Sequence, residues 1–138
     1  MIRQHIYLPA YDWDVWAYYD ADCTNTEEII ARLQHIGAEG GNLFRAVTNM
    51  GECQLDTGFT YSLYNASVVV LSKTSSADEF ASTYDHEKGH LVRHISKALG
   101  FDPYSEAEQY LAGEISRRMF PVAKHFLCEH CRKEISNQ

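Results

Sequence analysis

Between Ser75 and Leu99, Phe80, Tyr84, Leu91, Ile95 and Leu99 recur at helical spacing. A segment of this length with one apolar stripe must be a helix that buries one face. Its ends are marked. Ser76 followed by Glu79 fits a capping box, and Gly100 fits a C-terminal cap. At about 100° per residue, Thr83, His86, His90 and His94 fall on a different face from the apolar stripe, with Glu87 between the two. Gly89 costs helix propensity, and a residue without a side chain there would let another backbone come close.

The helix contains His86-Glu87-Lys88-Gly89-His90, which reads H-E-x-x-H. Two imidazoles one turn apart can chelate a single zinc ion. A carboxylate beside them, Glu87, can take a proton from metal-bound water. Such a site needs a third protein ligand. The longer motif H-E-x-x-H-x-x-G-x-x-H is absent, because Arg93 and Ser96 stand at its last two fixed positions.

A following helix offers glutamates instead. Pro103 suits its first turn and Asp102 its cap, so the connection from Gly100 to Asp102 is tight and the two helices should be neighbours. Glu106, Tyr110, Gly113 and Arg117 share one face, where Gly113 would permit close approach to the first helix. Glu108 lies towards Leu111, Ile115 and Met119, and can form a capping box with Ser105. Glu114 sits to one side. Helical geometry leaves Glu106, Glu108 and Glu114 all open as the third ligand.

The run from His86 to Ile115 resembles the gluzincin type of zinc metallopeptidase, and is similar to the small ImmA/IrrE-like and phage-encoded zincin-like proteins. In those, H-E-x-x-H is followed by E-x-x-A-(N/Y)-(x)-(F/L)-A. Glu106-Ala107-Glu108-Gln109-Tyr110-Leu111-Ala112 looks like this helix when the bracketed x is skipped, with Gln109 in place of the usual alanine. The stretch from Gly58 to Ser76 also looks like such mobile-element proteins. The resemblance implies Glu106 as third ligand, Zn2+ as cofactor, Glu87 as general base, and a peptide or protein as substrate. It implies a minimal zincin-like domain, with a sheet strand beside the motif helix able to pair with an extended peptide. Transition-state donors in larger gluzincins are His or Tyr, and His94, Tyr84 and Tyr110 are candidates. The alternative is a non-catalytic zincin-like fold, in which a structural metal staples two helices of a binding or regulatory module.

The chain has 138 residues, the size of one domain, and is 45% hydrophobic, enough for a core. We expect a single domain: sheet and first helix over 1–74, two metal-site helices over 75–123, and a tail over 124–138. The net charge of −7 argues against nucleic acid as partner, since phosphate binding needs a basic surface. No apolar run suits a signal peptide or a membrane span, so no membrane partner and a cytoplasmic location are expected. A second subunit or a partner protein to complete the cleft stays open.

The remaining elements make the class α+β, with a small, mostly antiparallel sheet. Strands are expected over His5–Leu8, Trp13–Tyr19, Leu43–Val47, Phe59–Tyr64 and Ser67–Ser72, the last two turning at Asn65-Ala66. Val68-Val69-Val70-Leu71 is apolar throughout, so it should be an inner strand. Thr26 can cap a helix from Glu27 to Ile36, ended by Gly37, and Gly51 to Gly58 reads as a loop. The aromatics from Tyr7 to Tyr19 are expected to alternate between core and surface.

Of four cysteines, Cys128 and Cys131 form a C-x-x-C. A second zinc site would need this pair plus two of His125, His130, Cys23 and Cys53. Following a helix instead of opening one disfavours a redox role, and a cytosolic chain disfavours disulfides. Partly buried thiols near the chain end are the expectation.

Overall fold

Among the described residues, the strands β1 (Ile2–Leu8), β2 (Trp13–Ala21), β3 (Phe59–Leu63) and β4 (Ala66–Ser72) form one sheet in the order β1-β2-β4-β3, and four α-helices complete the fold. The structure is a computed structural model that describes residues 1–41, 43 and 58–136. The class is α+β, as the sequence implies. The chain divides into two compact units, Met1–Lys73 and Thr74–Gln138.

In the first unit, β1 (Ile2–Leu8) and β2 (Trp13–Ala21) run antiparallel with Ile6 opposite Val15. Asp12 takes φ 50 in the turn between them. Asp22 and Asn25 then form a reciprocal capping box around a short 3-10 turn, so the cap lies ahead of the Thr26 expected from sequence. Helix α1 (Thr26–His35) follows and Gly37 at φ 106 ends it. The hairpin of β3 (Phe59–Leu63) and β4 (Ala66–Ser72) turns through Tyr64 and Asn65, with Tyr64 at φ 56. β4 pairs antiparallel with β3 and parallel with β2, so the sheet is mixed, with two antiparallel pairings and one parallel. The parallel pairing follows from the crossover through α1, since a tight hairpin cannot join parallel strands.

β4 is the inner strand that its apolar run demands: Val68, Val69, Val70 and Leu71 are each 0% exposed. Period-two alternation puts Val68 and Val70 with Tyr18, Ile29, Leu33 and Ile36 in one core layer, beneath α1. Val69 and Leu71 point to the opposite face and are equally buried. The aromatics do not simply alternate between core and surface, because both faces of β2 are covered and the adjacent Tyr18 and Tyr19 are both buried. Trp13, Tyr18 and Tyr19 are buried, and the Trp13 indole donates to Ser67 Oγ at 2.9 Å. Tyr7 is exposed. Most of the expected Leu43–Val47 strand and of the Gly51–Gly58 loop lies outside the described residues.

The second unit holds α2 (Ala77–Leu99), α3 (Glu106–Ala123) and α4 (Glu129–Ser136). No helix among the described residues is long and apolar enough to cross a membrane.

Candidate metal centre

Helix α2 starts and stops where its caps dictate. Ser76 Oγ accepts from the Glu79 N–H at 3.2 Å, and Gly100 ends the helix at φ 76. The Phe101 N–H reaches back to the Ser96 carbonyl at 2.9 Å, closing the last turn. The capping box differs in its second half. Glu79 turns back to Ser75, accepting from its N–H at 3.1 Å and from its hydroxyl.

Phe80, Tyr84, Leu91 and Ile95 are buried along one stripe, whereas Leu99 is 39% exposed. His86 and His90 are exposed, and their rings meet edge to face with centroids 4.6 Å apart. Their Nε2 atoms lie 3.1 Å apart. That is the distance of a ring-to-ring N–H···N hydrogen bond, and it is close to the roughly 3.3 Å that would separate two imidazole nitrogens at about 2.05 Å from one tetrahedral zinc. His94 continues the row, 6.2 Å from His90 between ring centroids. Burial pushes its pKa down, with His90 and Lys97 adding to the effect. The Lys88 ammonium lies 4.8 Å from the centre of the Tyr84 ring and 3.9 Å from Asp85.

Glu87 departs from its expected place between the faces. It is 3% exposed and belongs to the buried stripe, as does Thr83 at 6%. Gly89 is exposed, and a Cβ built on it meets nothing within 4 Å, so among the described residues no neighbouring backbone uses the space. The same holds for Gly113.

Helix α3 begins later than expected. Ser105 is its cap and accepts from the Glu108 N–H at 3.3 Å, while Asp102, Pro103 and Tyr104 form the turn before it. The three competing glutamates now separate. Glu108 is buried, paired with Arg93, and accepts from the Tyr104 N–H at 3.0 Å. Its pKa is held below the usual carboxylate range, first by the neighbouring Ser96 hydroxyl, then by the Tyr104 N–H. Glu114 is paired with Arg117 at 2.5 Å and Arg118 at 3.6 Å. Glu106 is exposed in the first turn and has no ion-pair partner among the described residues. Among the described residues, no three His, Cys, Asp or Glu side chains are grouped to hold a metal, so the imidazole pair supplies two donors and Glu106 is not drawn in beside them.

The cysteines depart from expectation twice. Cys23 is disulfide-bonded and unavailable as a ligand. Cys128 and Cys131 are free thiols, and the C-x-x-C opens helix α4, which the sequence did not signal because the segment is short and polar. Sequence reasoning also missed a cluster on the first unit. His5 stacks on Trp16 at 4.6 Å and 8°, Arg32 lies 4.9 Å from the Trp16 ring centre, and a cavity of about 530 Å³ opens beside them. No protein-family model, curated protein or solved structure matches the chain.

Proposed function

We propose that this chain is a zinc-dependent peptidase-like hydrolase in which His86, His90 and Glu106 hold the metal and Glu87 is the general base. The observation that carries the reading is the 3.1 Å convergence of the His86 and His90 Nε2 atoms on a solvent-facing helix side. Glu106 is preferred as the third donor because Arg93 occupies Glu108 while Arg117 and Arg118 occupy Glu114. The resemblance of the stretch from His86 to Ile115 to gluzincins supports the same choice.

Zinc, when bound, would bring a coordinated water to a pKa of roughly 7 and polarise a scissile carbonyl. The chain's own residues would do the rest. His86 and His90 bind through Nε2. Glu87 receives a proton at its carboxylate and returns it to the leaving amine. The substrate class is a peptide or protein. A phage or mobile-element origin belongs to the same resemblance. A second subunit or partner protein would deepen a site that α2 presents openly.

The burial of Glu87 favours a second reading, in which the metal staples α2 to α3 in a non-catalytic binding or regulatory module. Metal content separates metal from no metal, and Glu87→Gln separates the two readings. Tag-free protein should hold about one zinc per chain, with clear loss in Glu106→Ala. Glu87→Gln should keep its zinc and lose hydrolysis of a peptide library. A parent without zinc after metal addition would sink both readings. A parent with zinc and no hydrolysis would leave the second.

A further inference from the structure

The C-terminal dithiol is independent of the histidine pair and stands on its own geometry. Cys128 is the residue immediately before α4, and Cys131 lies one turn inside it. Both are free; Cys128 is exposed and Cys131 half-buried. A pair at this spacing on the first turn of a helix can close into a disulfide without moving the backbone far. The first-turn N–H groups face the outer sulfur.

The helix that bears the pair is held in place by residues between and beside the cysteines. Glu129 accepts from the Ala77 N–H, at the first turn of α2. Arg132 donates to the Thr74 carbonyl at 3.1 Å and the Ser75 carbonyl at 2.6 Å, and contacts Glu129 at 3.4 Å. Phe126 stacks on Phe80 with centroids 5.0 Å apart, anchoring the chain just before the motif. The dithiol is thus presented on a fixed mount with its outer sulfur towards solvent.

We propose that Cys128 and Cys131 form a thiol–disulfide exchange site for small solvent-borne disulfides, with Cys128 as the attacking and Cys131 as the resolving residue. The two thiols are unequal in the required sense. The N–H of Cys131, its thiol and the N–H of His130 lower the Cys128 pKa, while donation to Cys128 raises that of Cys131. In the first step the Cys128 thiolate attacks one sulfur of R–S–S–R. A Cys128–S–S–R bond forms and R–S⁻ leaves. The Cys131 thiol then gives its proton to the released R–S⁻ or to water and attacks the Cys128 sulfur. The Cys128–Cys131 bond forms and the second R–S⁻ leaves. The protein dithiol is oxidised by two electrons and the substrate disulfide is reduced to two thiols.

The test uses the full chain in buffers of glutathione disulfide and glutathione, quenched with acid, alkylated and mapped by mass spectrometry. The expected product is a Cys128–Cys131 disulfide that excess glutathione reverses. Cys131→Ser should stop at a glutathione adduct on Cys128, and Cys128→Ser should slow modification of Cys131 about tenfold against Cys128 in the parent. Far-UV circular dichroism of both variants checks that the fold is kept. Persistence of both thiols in the parent would overturn the proposal. So would an adduct on Cys131 alone, or protection of both thiols by added zinc, which would make the pair a metal site.

Discussion

Arg93 on α2 donates to the buried carboxylate of Glu108 on α3. Arg93 occupies the position where the longer zinc motif has glycine, and Ser96, where that motif has its third histidine, is fully buried. Glu108 also accepts from Tyr104 in the intervening turn, where Tyr104 takes φ 65. One carboxylate therefore ties together a helix, a turn and the next helix.

Glu108→Ala should consequently behave as a structural lesion. It strands Arg93, removes an acceptor from the Tyr104 N–H, and opens space beside the buried Ser96. Thermal melting should show a midpoint lower by roughly 5 °C. Zinc content of the folded variant should match the parent. Loss of zinc with an unchanged midpoint would make Glu108 the ligand.

Gly89→Ala should stabilise the chain. A Cβ at Gly89 meets nothing within 4 Å, and the position is an exposed helix interior. Replacing glycine there should add about 0.5–1 kcal/mol, read from urea unfolding. A destabilised variant would show that some backbone does approach this face.

Gly58→Ala should do the opposite. Gly58 sits at φ 88, and a Cβ there would lie 1.9 Å from the Val70 carbonyl oxygen. The clash is with the backbone of the inner strand, which cannot give way without breaking the ladder between β3 and β4. We expect a loss of roughly 2 kcal/mol or more, measured by the same denaturation. Near-neutral behaviour would contradict this hairpin register.

The start of α2 should make the protein sensitive to acid. Asp78 is held below the usual carboxylate range chiefly by the Ser76 hydroxyl, and Glu79 chiefly by the Ser75 hydroxyl. A folded-state pKa below the unfolded one contributes stability above the unfolded value of about 4. That contribution is lost as pH falls through the folded value. Asp78→Asn combined with Glu79→Gln should flatten the acid limb of urea midpoint against pH, while near neutral pH the variant is the less stable protein. An unchanged limb would place the acid sensitivity elsewhere.

Local chemistry makes much of this protein legible in its sequence. The capped ends of α2 at Ser76 and Gly100, the inner strand Val68–Leu71 and the β3–β4 hairpin all follow from short-range rules: a cap is a contact three residues long, and an inner strand is an uninterrupted apolar run. The His86–His90 pairing belongs to the same class, because two side chains four apart on a helix must be neighbours. Other features required contacts that sequence spacing does not encode. Which side of α2 would take Glu87 depended on what packs there, and a carboxylate one residue from a histidine sits near the border of the two faces. The ion pair that takes up Glu108 comes from Arg93 on a different helix, whereas the pairing of Glu114 with Arg117 and Arg118 is a local i,i+3 and i,i+4 contact. The parallel pairing of β2 with β4 needed the crossover through α1, and the mount of the C-x-x-C needed Arg132 to reach carbonyls 58 and 57 residues upstream. Periodicity and capping are written in neighbouring residues. Charge pairing and strand order are settled only when distant parts of the chain compete for the same space.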